Sequence, residues 1–370
     1  MGLERVIGVI NLVNDKQYLK ELTQHRCLAA VPFGGRYRLI DFTMSNFINA
    51  QIKKVGVFTK DKYRSIMDHL GNGKEWDLDR RNGGLFILPP IHPDKSIVGD
   101  VQQFYDHLEF FKRSHEDTVI LSPGHHVYKI NFNDVIKSHR ESGADITVVY
   151  KDYDGEPVDK PIYHKCILDA DDKVRNLELY TTPKQGDPVC TETFVFSKKL
   201  LIELITKCYE NGEYDFIRDV VKANLHRLKV NSYHFKGYMP FIHSISSYYK
   251  TNMDFLNPQV TKEFFFDNWD IYTKTKHEPP VKYSTTSNVS NSLIANGSDI
   301  EGTVENSIIF RGVKIRKGAT VKNSIIMQKS VIDEGTYLEN VITDKQVNIT
   351  SEKVIVGELS PTVIKKADII

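Results

Sequence analysis

Histidines and clustered cations are the side chains with the most obvious chemical potential in this 370-residue sequence. His125 and His126 stand together, and with His243 they could form a zinc site, although adjacent histidines are more often a feature of a strand or surface. Arg311, Lys314, Arg316 and Lys317 crowd one short stretch and could grip a phosphate; the plainer reading is a solvated basic face. Arg36 and Arg38 lie two residues apart behind a Gly-Gly pair, and Lys53 and Lys54 are adjacent. The four cysteines, Cys27, Cys166, Cys190 and Cys208, make no C-x-x-C pair and no disulfide framework, so they read as reduced thiols.

The elements that must position these groups fall into two periods. Up to about residue 255, short β-branched runs (Val6 to Leu12, Val55 to Thr59, Thr118 to Ser122, Ile146 to Tyr150) alternate with helical stretches at Arg38 to Ala50, Val98 to Arg113 and Asn133 to Ser142. That alternation predicts an α/β domain with a largely parallel sheet over 1–255. From 285 to 370 aliphatic residues recur every six within groups: Ile294 and Ile300; Ile309, Ile315 and Val321; Ile326, Ile332 and Leu338. With Gly297, Gly302, Gly312, Gly318 and Gly335 near the corners, that hexapeptide period predicts a C-terminal left-handed parallel β-helix. A packed linker, 256–284, carries Phe264, Phe265, Phe266, Trp269 and Tyr272, which read as an interdomain core. Acyltransferases built on a β-helix commonly use a histidine as general base, and no histidine follows His277, so this one reads as a structural and assembly module.

Composition excludes several classes of function. The 49 basic residues balance 48 acidic ones, leaving no field for nucleic-acid binding. No stretch is long and apolar enough to span a membrane, and the first residues lack a signal-peptide pattern, so a cytoplasmic protein is expected.

AAVPFGGRYRLIDFTMSNFINAQIKKVGVFT at 29–59 resembles a characteristic segment of the bacterial glucose-1-phosphate adenylyltransferases. WDLDRRNGGLFILPP at 76–90, HHVYKINF at 125–132, SSYYKTNMDFL at 246–256 and WDIYTKTKHEPP at 269–280 match further segments in the same order. The resemblance covers essentially the whole chain. It implies a Rossmann-like nucleotidyltransferase domain before the β-helix, and a reaction joining ATP and glucose 1-phosphate into ADP-glucose and pyrophosphate. Such phosphoryl transfer rests on positioning, cations and Mg²⁺.

Against that family pattern the chemical positions are replaced. The glycine-rich phosphate loop reads Leu12-Val13-Asn14-Asp15-Lys16-Gln17-Tyr18-Leu19, with Tyr18 in place of its arginine. Val13 resists a positive φ and Asp15 would set a carboxylate beside a triphosphate. The phosphate-neutralising lysine is Leu28, the two metal-binding aspartates are His125 and Phe241, and the lysine that holds the sugar phosphate is Thr182. Asp100 replaces a threonine at a ligand-facing position. Asn82, Gly83, Gly84 and Tyr128 match the family and are kept for loop geometry or for residual nucleotide binding.

The resemblance therefore implies no catalytic residues, no metal and no cofactor of its own, with Mg²⁺ held by a partner. It is similar to the family's D-type subunit, which implies a regulatory role in glycogen biosynthesis within a heterotetramer with a homologous catalytic subunit. Phosphorylated sugar effectors would bind at Arg36, Arg38, Lys53, Lys54, Arg311 and Arg316. A weakly active nucleotidyltransferase and a free-standing sugar-phosphate sensor are the alternative readings.

Overall fold

The computed structural model describes residues 5–14, 16, 18–91, 99–158, 160–266 and 269–370. Two compact units emerge: residues 1–16 with 42–241, and residues 17–41 with 242–370. Compactness thus divides the chain elsewhere than at residue 255, because the segment 17–41 is tied to the C-terminal part. Arg26 donates two hydrogen bonds, of 2.9 and 3.0 Å, to Asp344, both side chains being almost fully buried. Phe33 meets Phe255 edge to face at 4.9 Å.

The first unit holds a nine-stranded mixed sheet. Its strands are β1 (Val6–Asn11), β2 (Lys54–Phe58), β3 (Gly84–Leu88), β4 (Thr118–Pro123), β5 (Ile146–Asp152), β6 (Tyr163–Leu168), β7 (Val174–Thr181), β8 (Pro188–Ser197) and β9 (Val230–His234). The main path runs β9-β5-β8-β4-β1-β2-β3, parallel except where β8 pairs antiparallel with β4 and β5. The hairpin β6–β7 joins through β6 and β8. Val6, Ile7, Val9 and Ile10 are all buried, as a central strand covered on both faces requires.

Helices α1 (Ile40–Asn49), α2 (Arg64–Leu70), α3 (Asp100–Asp106), α4 (Leu108–Lys112), α5 (Phe132–Ser142) and α6 (Lys198–Glu210) connect the strands. The single helix expected up to Arg113 breaks at His107, whose Nε2 meets the Pro89 carbonyl at 2.8 Å; the expected start, Val98, lies outside the described residues. Helix α5 is capped by Asn131, two residues before the expected start, its side chain accepting from the Asn133 N–H. Gly143, at φ 57°, ends it as anticipated.

In the second unit, short strands stack in three five-stranded parallel sheets, forming the β-helix. Ile300 pairs with Ile315 and Ile315 with Ile332, so a coil takes 15 or 17 residues, slightly under three hexapeptides. Ile300, Ile309, Ile315, Val321, Ile326, Ile332 and Leu338 are fully buried along its axis, while Ile294, on the first coil, is only partly covered. Gly302 is required by close approach: a Cβ there would lie 2.3 Å from the Ala319 carbonyl oxygen.

One corner is made by asparagines instead of glycines. Asn291, Asn306, Asn323 and Asn340 all take positive φ, between 40° and 53°. Their amides form a ladder, Asn291 donating to Asn306 at 2.8 Å and Asn306 to Asn323 at 2.6 Å. Beside it runs a serine ladder, in which Ser292, Ser307 and Ser324 each accept a backbone N–H from the next coil at 3.0–3.1 Å. Asparagine is the side chain that tolerates this conformation while bonding its neighbours.

The aromatic linker is not one buried core. Phe264 is fully buried, but Phe265 is 38% and Phe266 75% exposed, since they follow one another around helix α8 (Pro258–Phe265) and its end, which docks with one face. Helix α7 (Ile245–Asp254) begins on a Ser244–Ser247 capping box. Among the described residues no helix is long and apolar enough to cross a membrane.

The Asn306→Ala variant tests the ladder. It removes two amide contacts and places alanine at φ 46°, and the expected loss is about 1–3 kcal/mol, read from chemical denaturation.

Candidate functional site

In an open α/β sheet, ligands bind beyond the carboxyl ends of the strands, where the strand order reverses. Here the chain runs outward from β1 through β2 and β3, then returns to place β4 on the other side of β1. Asn11 lies beside Pro123 at the strand ends, so the loops after β1 and β4 open on the switch point.

The chain's own side chains fill it. Asp100, the first residue of α3, is completely buried. It accepts from the Asn11 amide at 2.9 Å, the Asn14 amide at 2.7 Å and the Phe216 backbone N–H at 2.8 Å. Burial pushes its carboxyl up to about 7, although all three donors favour the ionised form. Asn11 also accepts the Val13 N–H at 3.0 Å, so the loop after β1 is pinned at three points. Asp100, expected to face a ligand, is instead buried and accepts from Asn11 and Asn14.

Glu192 is the second plug. The pairing of β8 with β5 shifts register between Cys190 and Thr193, and on that bulge Glu192 takes φ 55°. Its carboxylate forms an ion pair with Lys16 and lies 3.7 Å from His164 Nε2. Burial pushes this carboxyl up, but Lys16 and then His164 hold it down at about 2. Burial lowers His164 in turn, against the opposing pull of Glu192. The Tyr180 N–H points at His164 Nδ1, 3.5 Å away, which leaves the ring proton on Nε2, toward Glu192.

His125 lies in the same field, held well below the usual histidine range by burial and by His126. His126 is buried with Nε2 at 3.0 Å from the Thr191 carbonyl, a strand-to-loop tie. Among the described residues no group of three or more His, Cys, Asp or Glu is arranged to hold a metal ion. Phe241 is buried against Tyr153 and Tyr163, with ring centroids at 5.1 and 5.2 Å. Thr182 is exposed just past β7. Leu28 and Tyr18 belong to the second unit, where Leu28 is core in a 3₁₀ turn and Tyr18 is partly buried. Asp15 and Gln17 lie outside the described residues.

The family-matched framework residues have structural work. Gly83, at φ 87°, would place a Cβ 2.5 Å from the Lys53 carbonyl oxygen, to which the Gly84 N–H donates at 2.7 Å. Exposed Asn82 precedes this turn. The Tyr128 hydroxyl is buried 2.8 Å from Ser122 Oγ, and its carbonyl accepts from Asn46 at 3.1 Å.

The candidate cations divide between the units. Lys53 is exposed, and Lys54 donates to Ser114 Oγ at 2.6 Å while lying over the Phe86 and Phe110 rings, so its ammonium is engaged within the first unit. In the second unit Arg316 faces Glu301 at 3.2 Å and Asp299 at 3.6 Å, which neutralises it; Lys314 and Lys317 are exposed. Arg36 is different. It is exposed beside Tyr37, and it faces Arg311, whose charge is disfavoured first by burial and then by Arg36. Glu278 and Asp41 lie in the same field and favour the Arg311 charge, so the two guanidinium groups are partly compensated. A cavity of about 230 Å³, lined by Gly35, Arg36, Tyr37, Phe255, Phe265 and Ile294, adjoins them.

Sequence reasoning missed Lys345 and Arg26. Burial, and then Arg38 and Arg26, lower the Lys345 ammonium to about 7. The Arg26 side chain pairs with Asp344, next in sequence to Lys345. Their sequence separation exceeds three hundred residues, and no local spacing signals such a cluster.

The nucleotidyl transferase family matches residues 17–258, and a GlmU-like C-terminal hexapeptide family matches 279–360. The chain is 40% identical over 365 residues to glycogen biosynthesis protein GlgD of Bacillus subtilis, covering 98% of this chain and 96% of that protein. A GlgD protein of Geobacillus stearothermophilus is 38% identical, covering 86% and 83%. A glucose-1-phosphate adenylyltransferase of Thermotoga maritima is 36% identical, covering 81% and 72%. A switch-point cleft on a nucleotidyltransferase sheet, followed by a hexapeptide β-helix, agrees with these similarities along the chain: it belongs to the glucose-1-phosphate adenylyltransferase family of nucleotidyltransferases, on the side of its GlgD members.

Proposed function

We propose that this chain is a non-catalytic, regulatory subunit of a glucose-1-phosphate adenylyltransferase in glycogen biosynthesis, pairing with a homologous catalytic subunit in a cytoplasmic heterotetramer. One observation carries the reading: two internal carboxylates, Asp100 and Glu192, bind the loop after β1 where a triphosphate would lie. A triphosphate approaching ionised Glu192 meets like charge, and phosphoryl transfer depends on cations at that place. Mg²⁺ finds no hard oxygen pair at His125 and Phe241, so the metal chemistry falls to the partner. The relatives named for glycogen biosynthesis supply the pathway.

Regulation is assigned to the second unit. Arg36 beside Arg311, and Lys345 beside Arg38, are cations that suit a phosphorylated sugar, and the guanidinium of Arg36 can hold a phosphate bidentately. The catalytic partner's response to such effectors would then be tuned through this chain.

Three outcomes are expected. The purified chain alone with Mg²⁺, ATP and glucose 1-phosphate makes no ADP-glucose above background, by chromatography of the products; turnover abolished by mutating one of its own residues refutes the inactive reading. In the complex with a catalytic homologue, Arg36→Ala raises the half-activating sugar phosphate concentration roughly tenfold, the scale of one lost charge-assisted contact; a chain that neither co-purifies with nor alters that homologue is a free-standing sensor instead. Lys345, near 7 against an ordinary value near 10.5, is largely neutral at pH 8 and regains its charge beside a bound anion. Effector binding at pH 8 therefore takes up a proton, close to none at pH 6, measured by titration calorimetry in buffers of different ionisation enthalpy.

A further inference from the structure

We propose that Asp100 works as a proton-operated latch: protonated, it holds the loop after β1 and the segment 214–216 to the start of α3, and ionised it favours their release. Its carboxyl is completely buried and meets hydrogen-bond donors from two distant segments. The Asn11 and Asn14 amides share Oδ2, and the Phe216 N–H takes Oδ1. All three donors are neutral. The charged groups around them bring no counter-charge to Asp100. On the loop, Lys16 is paired with Glu192, and Asp15 lies outside the described residues. Helix α3 carries no cation, Asp215 faces Asp100 with like sign, and Arg218 is engaged by Asp219. A carboxylate that is hydrogen-bonded but uncompensated is costly to bury, and the same group with its proton is not.

The two protonation states differ in bonding at one residue. The Asn11 amide oxygen already accepts the Val13 N–H at 3.0 Å, so toward Asp100 this side chain only donates. The Asn14 amide, by turning over, presents its oxygen to the proton of a neutral Asp100. Burial lifts the carboxyl to about 7 against the pull of Asn11 and the Phe216 N–H, and Asp215 acts in the same direction as burial. Once the loop opens, the carboxyl meets water and returns toward its ordinary 3.8. The open form thus holds the proton more weakly than the closed one, so opening becomes easier as pH rises toward about 7 and levels off above it. Packing sets what opens with it. The Val101 N–H donates to the Tyr214 carbonyl at 3.3 Å, and a Cβ at Gly99 would lie 2.1 Å from that oxygen, so the start of α3 is pressed against the segment 214–216. The latch stands on these contacts, whether or not the chain turns over substrate.

The test is amide hydrogen exchange of the full-length chain at pH 6 and pH 8, read by mass spectrometry and corrected for the intrinsic pH dependence of exchange. Wild type is compared with Asp100→Asn, whose amide carries no charge at either pH. In wild type the opening constant of peptides covering 11–16 and 214–218 should rise about tenfold from pH 6 to pH 8, as a shift from 3.8 to about 7 requires. In Asp100→Asn the two constants should agree. Those peptides should also exchange well ahead of β2 at both pH values, which marks the opening as local. If Asp100→Asn fails to fold, Asp100→Thr decides, being neutral as well, and it too should be flat. The latch is overturned by wild-type constants that agree at the two pH values, by a neutral variant that keeps the rise, or by exchange of the loop and β2 together.

Discussion

A carboxylate taken out of water must find hydrogen-bond donors or a counter-charge within the protein, and this requirement governs the first unit. Asp100 and Glu192 are the two carboxylates concerned, and both find their partners on the loop after β1. The bulge in β8 carries Glu192, and Asp100 at the start of α3 accepts the Phe216 N–H. Removing one partner of such a contact leaves a buried charge uncompensated, which costs more than the contact itself contributes. These contacts hold the loop after β1 against the sheet.

The second unit solves the opposite problem. Its β-helix is stabilised by stacked aliphatic rungs, and its corners repeat an asparagine or a serine so that each polar group bonds its copy one coil away. Against this rigid stack, the buried Arg26–Asp344 pair anchors the segment 17–41 and sets Arg38 and Lys345 in one field. Asp344 compensates Arg26 within this group, while burial and the neighbouring cations still disfavour the charge on Lys345.

Much of this was legible in the sequence. Period and composition show an α/β domain and then a β-helix, since side-chain burial in strands, helices and coils repeats locally. The residues at Tyr18, Leu28, His125, Thr182 and Phe241 can be read off directly, and taking them as replacements rests on the family resemblance. Less legible were elements whose form depends on distant partners. The helix break at His107 answers to the Pro89 carbonyl, and Phe266 is exposed because α8 docks with one face only. Of the basic residues singled out by type, Lys54 and Arg316 turn out to be engaged by Ser114 and by Glu301 with Asp299.

The sequence by itself determined the class of fold and the order of its two parts, because these are properties of residue type and local spacing. Only the tertiary structure decided which side chains meet at the carboxyl ends of the strands and which cations stand together. Glu192 and Lys16 are 176 residues apart and Arg26 and Asp344 are 318 apart, and the energies that join them depend on burial and distance, which residue type and local spacing do not carry.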